Sequence, residues 1–214
     1  WDLEDVNNRS GVFAEAFPVT ENIERIDNFT IGIDPYEVTN SFGISHKTSR
    51  FQDSGTMQDG KVYTAKLYPS YDGPRQTLGD LVLPESEIPE QFFIDPEKVE
   101  SWRYLKGAKK ELRVNKASGF EYTYAEGGMS FPDPLDRPAR TILTGEGGAG
   151  ASRFKHVVET ESGRLRRLVP DELDQIQGFP RGWTNTGLTD GHRAFCMGNA
   201  LVVGIPNALG KVIN

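Results

Sequence analysis

The sequence predicts an α+β protein whose irregular, β-rich centre is followed by C-terminal helices. Three observations carry this expectation. The 23 glycines and 13 prolines among 214 residues demand many turns and loops. Apolar and polar residues alternate in short runs before residue 160, the period of half-buried strands. Helical spacing is confined mainly to the last quarter, where start and stop signals bracket it.

Residues 1–40 are acidic with short apolar stretches such as Phe29-Thr-Ile-Gly-Ile33, and read as a connecting segment holding one strand. Residues 41–83 contain strand-like pieces, notably Lys61-Val-Tyr-Thr-Ala-Lys-Leu67 after an Asp59-Gly60 turn signal. Three prolines punctuate Pro84 to Pro96, which reads as a linker with a short helical turn. From Trp102 to Val158, strands are expected at Tyr122-Thr-Tyr124, Ala139-Arg-Thr-Ile-Leu-Thr144 and Arg153-Phe-Lys-His-Val-Val158, with Gly-rich loops between them.

Pro170 suits a first helical turn, and Asp171 and Glu172 complement its positive end. Leu173, Ile176 and Gln177 keep helical spacing until Gly178 and Pro180 stop it. Leu201, Ile205, Ala208, Leu209, Val212 and Ile213 share one helical face with Pro206 as start or kink, and that face must pack against something. The division expected is 1–100 as connecting segment and start of a small domain, 101–165 as its core, and 166–214 as a docking segment.

The net charge of −7 argues against a nucleic-acid partner, but its distribution does not. Residues 101–167 hold 13 Lys/Arg against 8 Asp/Glu, between acidic flanks. Such a block is either a DNA-facing surface or a solvated basic face. The single Cys196 excludes an internal disulfide and fits a reducing, cytoplasmic setting. No uninterrupted run of 18 apolar residues occurs, so no membrane partner is expected. The start, Trp1-Asp-Leu-Glu-Asp5, has neither an initiator Met nor a signal pattern and reads as a cut or processed end.

Gly145-Glu-Gly-Gly-Ala-Gly150 satisfies a dinucleotide-binding pattern only formally. The chemistry requires a helix directly afterwards, and a strand-like segment follows instead. A flexible loop that lets backbone approach a ligand is the better reading. His46, His156, His192 and Cys196 lack metal-ligand spacing, and no carboxylate pair forms an acid–base dyad. Cys196, between Phe195 and Met197, reads as a buried, inert side chain. No catalytic machinery is visible. Trp102, Tyr122 and Tyr124 read as core, while the cations interleaved with them suit phosphate contacts.

Arg166-Arg-Leu-Val-Pro-Asp-Glu-Leu-Asp-Gln-Ile-Gln-Gly-Phe-Pro180 and Met197-Gly-Asn-Ala-Leu-Val-Val203 together resemble the ninth and tenth motifs of the DNA cytosine-5 methyltransferases. Pro138-Ala-Arg-Thr-Ile-Leu-Thr-Gly-Glu-Gly-Gly148 is similar to that family's recognition-domain core. Trp102-Arg-Tyr-Leu-Lys-Gly-Ala-Lys-Lys110 and Phe131-Pro-Asp-Pro134 resemble one bacterial branch. The resemblance covers roughly residues 100–214. Val169 departs from it, standing where the family has Thr or Ser capping the helix. The Pro-Cys nucleophile pair, the Phe-x-Gly-x-Gly loop, the Glu-Asn-Val segment and the Gln-x-Arg-x-Arg segment are not found, and Asn7-Asn-Arg-Ser10 is a poor match to the last.

The resemblance implies a target-recognition domain followed by helices completing a Rossmann-like methyltransferase domain, in an enzyme of a restriction–modification system. It implies double-stranded DNA as partner, with a catalytic half supplied by a separate subunit or the same longer chain. S-adenosyl-L-methionine is the implied cofactor, bound mainly by that half. Lys109, Arg113, Lys116, Thr141, Gly145, Gly147, Gly148, Arg153, Lys155, Arg166 and Arg167 would contact DNA, and Asn199, Ala200 and Leu201 the cofactor. Arg113, Lys116, Arg153 and Lys155 flank the loops expected in the major groove, while Lys109 would contact phosphate and Thr141 would act on the phosphate side or fix the backbone. The competing expectation is a DNA-binding module or specificity subunit that lost catalysis.

Overall fold

A computed structural model describes residues 2–32 and 50–213. The chain forms two compact units, Trp1–Pro74 with Gly204–Asn214, and Arg75–Val203. These boundaries cut across the sequence segments at 100/101 and 165/166.

In the first unit, the Asp2 carboxylate accepts from the Glu4 and Asp5 amides and starts α1, Leu3–Asp5. A π-helical turn, Val6–Ser10, leads to α2, Val12–Ala16. β1 (Glu24–Thr30), β2 (Ser54–Gln58) and β3 (Lys61–Lys66) form an antiparallel sheet in the order β1-β3-β2. Asp59 and Gly60, at φ 50° and 76°, make the tight hairpin between β2 and β3. The expected Lys61–Leu67 strand is therefore present as the central one, with Val62 to Ala65 buried. The Phe29–Ile33 strand begins earlier, at Glu24, and ends at Thr30; Ile33 and His46 lie outside the described residues.

In the second unit, Pro84 to Pro96 is core-forming, not a linker. Short 3-10 turns at Glu85–Glu87 and Glu90–Phe92 turn Ile88 and Phe92 onto Val169, and Ile94 packs with Trp102 and Val157. A helix absent from the sequence reading follows: α3, Val99–Lys106. Its fully buried residues are only Trp102 and Lys106, at i and i+4, with Val99 half-buried against the same cluster, among exposed charges that mask the apolar period. β4 (Lys109–Val114) and β5 (Glu121–Glu126) form a hairpin. β6 (Val157–Glu159) pairs with β7 (Leu165–Arg167).

Two expected strands are corrected. Ala139–Thr144 joins no sheet, because Ile142 anchors it in the core while Arg140 bonds to Asp133. Of Arg153–Val158, only Val157 and Val158 lie in a strand, since the Arg153 and Lys155 side chains bind loop carbonyls.

α4, Pro170–Ile176, begins and ends where the sequence placed it, with Gly178 at φ 84°. Glu172 accepts from the Val169 amide at 2.8 Å, supplying from the third helical residue a cap that Val169 cannot give. α5, Asp190–Asn199, is capped by Thr189. Leu78, Ile142, Val158, Leu168, Leu173, Ala194 and Met197 form the main core, so α4 and α5 meet over β6 and the segment of Ile142.

α6, Gly204–Ile213, packs against α2 in the first unit. The expected single apolar face is thus divided: Leu201 precedes the helix and is 58% exposed, whereas Leu209 and Val212 are half-buried. Asp190–Ile213 has the length of a membrane-crossing helix and contains an 18-residue window of mean hydropathy 1.3, although charged and polar residues interrupt its apolar runs. Here it is two helices separated by residues 200–203.

Leu173 is enclosed by this core. Leu173→Ala should destabilise the second unit by about 2–5 kcal/mol, measured by urea unfolding followed at buried Trp102. Leu112→Ala on the exposed hairpin should stay within about 0.5 kcal/mol.

Candidate functional site

The segment leading into α4 is organised by a fully buried ion pair. Arg166 places Nη2 2.7 Å and Nη1 2.9 Å from the two Glu172 oxygens. Glu172 also accepts from the amides of Leu83 and Val169, and Arg166 donates to the carbonyls of Leu83 and Arg167. Two charges leave water here only because nearly every lone pair and proton is used. Arg166 therefore cannot face DNA, and its expected contact is corrected to an internal role.

Behind the Gly-rich loop, cations hold backbone. Lys155 donates to the carbonyls of Gly148 and Gly150 at 2.9 and 2.8 Å. Arg167 donates to those of Gly148 and Gln91 at 2.9 and 2.6 Å. Burial lowers the pKa of both, and for Lys155 the nearby Arg167 charge adds to it. Gly147 lies against Gly191 and Ala194 of α5, where a Cβ would come within 3.1 Å. Glu146 turns inward and accepts from the His156 amide, 3.0 Å from His156 Nδ1. The loop is thus fastened from beneath, leaving Gly145 and Gly148 exposed. No helix follows it directly, as its reading as a non-nucleotide loop requires.

A second buried cluster fixes the ground of the hairpin. Asp133 accepts from Arg140 Nε at 2.6 Å, Val157 N at 2.8 Å and Lys106 Nζ at 3.4 Å. Lys106 also donates to the Lys155 carbonyl at 2.6 Å. Burial pushes the Asp133 carboxyl up, but Arg140, the Val157 amide and Lys106 outweigh it and hold it below its ordinary 3.8. Burial lowers Lys106.

Arg153 spans from the end of α3 to the hairpin, donating to the carbonyls of Leu105, Gly107 and Gly127 and pairing with Glu126 at 3.2 Å. It positions the hairpin and does not pair with Glu146 or Glu159. Arg113 stacks 3.5 Å from the Tyr124 ring and pairs with Glu111. Lys109 lies 4.4 Å over the Tyr104 ring. Lys116 is exposed in the hairpin turn, and Thr141 is exposed beside buried Ile142. Trp102 is core as expected, but Tyr122 is exposed.

The C-terminal edge is tied to α4 through Gln177, whose Nε2 donates to the Met197 and Ala200 carbonyls and whose own carbonyl accepts from the Val203 amide. Gly198 presses on Leu143 and Thr144, where any Cβ would meet the Thr144 amide nitrogen at 2.4 Å. Asn199 closes α5 and is exposed, its Nδ2 donating to the Phe195 carbonyl. Asp171, Asp174, Thr184 and Arg193 brace α4, the following loop and α5. Cys196 is exposed, correcting its reading as buried, because α5 turns Arg193, Ala194 and Met197 inward instead.

Sequence reasoning missed Lys106, Asp133, Arg140, Glu146, His156 and Glu172 as determinants of this surface. Their partners lie 3 to 89 positions apart, a spacing without period. The only outward sign was that charged residues sat inside otherwise apolar or Gly-rich stretches.

Residues 18–214 match the family model described as C-5 cytosine-specific DNA methylase. The type II methyltransferase M.Sau3AI of Staphylococcus aureus is 36% identical over 213 residues, covering 99% of this chain and 48% of that protein. The chain thus spans about half the length of this curated relative. The solved methyltransferase EhMeth of Entamoeba histolytica aligns with 88% of this chain and 52% of its own, at 14% identity and TM-score 0.40.

Removing Glu172 alone strands the Arg166 charge, so Glu172→Ala should cost about 3–5 kcal/mol. Replacing both partners with Met should recover most of it, as a double-mutant cycle by chemical denaturation would measure. Asp133 and Asp171 are both held below 3.8. Their stabilisation is complete above that pH and lost as pH falls through their lower folded values. An acid titration of far-UV ellipticity should show unfolding below pH 3.8, with Asp133→Asn flattening this dependence while destabilising the protein at pH 7.

Proposed function

Because the chain belongs to the C-5 cytosine-specific DNA methylase family, we propose that it is the DNA-recognition and cofactor-pocket-completing part of a DNA cytosine-5 methyltransferase. The enzyme would serve a type II restriction–modification system in the cytoplasm. The observation that carries this reading is the linkage of the Gly-rich loop to α5 at one end and of the Asn199 edge to α4 and Thr144 at the other. One rigid assembly would then hold a DNA-facing loop and a cofactor-facing edge in fixed register.

A target base inside a duplex must leave the stack before chemistry can reach it. In this reading, Lys109, Arg113, Lys116 and Thr141 hold the duplex, and exposed backbone at Gly145 and Gly148 approaches it closely. Gly147, Arg153, Lys155 and Arg167 act as positioning residues. S-adenosylmethionine supplies the methyl group when bound. The exposed Asn199 carboxamide, whose oxygen is free of the Phe195 bond, and apolar Leu201 fit one edge of such a molecule with Ala200 between them. They make an edge and not an enclosure, in keeping with a catalytic half that supplies the rest, including a Pro-Cys nucleophile. The lone Cys196 follows Phe195.

Purified chain incubated with duplex DNA and labelled S-adenosylmethionine should transfer no methyl group. Adding the complementary catalytic half should restore transfer, and Asn199→Ala should then raise the cofactor requirement while leaving DNA binding intact. Transfer by the chain alone that survives Cys196→Ser would sink this reading.

A further inference from the structure

The two faces of the β4–β5 hairpin are built differently. One is internally satisfied: Arg113 stacks on Tyr124 and pairs with Glu111, Lys109 covers Tyr104, and Tyr124 and Arg153 both bind Glu126. The other carries Lys110, Leu112, Val114, Glu121, Thr123 and Ala125, every one exposed. Leu112 is 70% and Val114 53% exposed, and the register sets Leu112 opposite Thr123 and Val114 opposite Glu121. Among the described residues, no other helix or strand makes more than marginal contact with the hairpin.

Its turn is stiff. Asn115 accepts from the Ala117 amide through its side chain and from Gly119 through its carbonyl, and its own amide donates to Phe120 at 2.8 Å. Gly119, at φ 70°, allows that closure.

A two-stranded ribbon fits the major groove of B-DNA, and there thymine alone presents a methyl group, which apolar side chains contact. Lys110 on this face and Lys116 in the turn place positive charge at both ends of the apolar pair, complementary to flanking phosphates. Glu121, the acidic member of the face, is a ready acceptor for a cytosine amino group. We infer that the Leu112–Val114 face is a specificity-determining surface that lies in the major groove and reads thymine through its 5-methyl group. This rests on the DNA-recognition reading above, and it moves sequence readout from the stacked Arg113 side to the opposite side of the ribbon.

Uracil is thymine without that methyl, so it isolates the contact. Duplexes retained from a random pool by the protein with its catalytic half would be identified and resynthesised with dU for dT, one position at a time. At one or more positions the replacement should weaken binding about fourfold, the effect of one buried methyl. Leu112→Ser with Val114→Ser, which removes the methyl groups at exposed positions where differences in strand propensity are small, should bind the thymine duplex more weakly and no longer distinguish dU from dT. Retained sites without thymine, equal binding of dU and dT duplexes, or a double variant that still discriminates would each overturn the inference and leave DNA recognition standing. So would a double variant with unchanged DNA binding but altered self-association by sedimentation, which would assign the face to a second copy. Retention of no duplex at all would overturn both readings.

Discussion

The second unit depends on one buried carboxylate. Asp133 receives Arg140 from the segment leading to Thr141, Lys106 from the end of α3, and the amide of Val157 at the start of β6. Its own amide returns a bond to the Val157 carbonyl at 2.6 Å. Three stretches that share no continuous sheet are thereby pinned to one point. In a region this poor in regular ladders, hydrogen bonds to a charged acceptor do the ordering that strand pairing does elsewhere. Apolar burial supplies adhesion, but it is non-directional.

A second consequence is the division of labour among cations. A count of Lys and Arg marks residues 101–167 as a basic surface, yet Lys106, Lys155, Arg166 and Arg167 are buried and spent on carbonyls or carboxylates. Arginine suits such duty because its planar fork serves several acceptors at once and is weakly hydrated. The charge left for a ligand is smaller than the count, and concentrated on the hairpin and its turn.

How legible all this was in the sequence follows from the range of each interaction. α4 announced itself because Pro170, Asp171, Glu172 and Gly178 act within a turn or two of one another. β3 did so through its alternation and the Asp59-Gly60 turn. α3 was hidden because only Trp102 and Lys106 are fully buried, and a buried lysine breaks the apolar pattern a helix is recognised by. Ala139–Thr144 has strand composition but finds side-chain anchors in place of a neighbouring strand. At the site, the resemblance located the Gly-rich loop and the Asn199 edge. It could not reveal which cations point inward, since Glu172, Glu146 and Asp133 are partners set by folding and not by spacing.

Gly198 has an implication for how such proteins diversify. Its Cα hydrogens press on the backbone of Leu143 and Thr144, so α5 and the approach to the Gly-rich loop share a steric register with no room for a methyl. The root of the loop is fixed there, and its course is fixed again at Glu146, which binds His156, and at Gly147, which lies against α5. Exchange of the recognition loop between related proteins therefore cannot stop at the loop itself, and a graft spanning Leu143 to Gly147 would need to bring its own α5 with it.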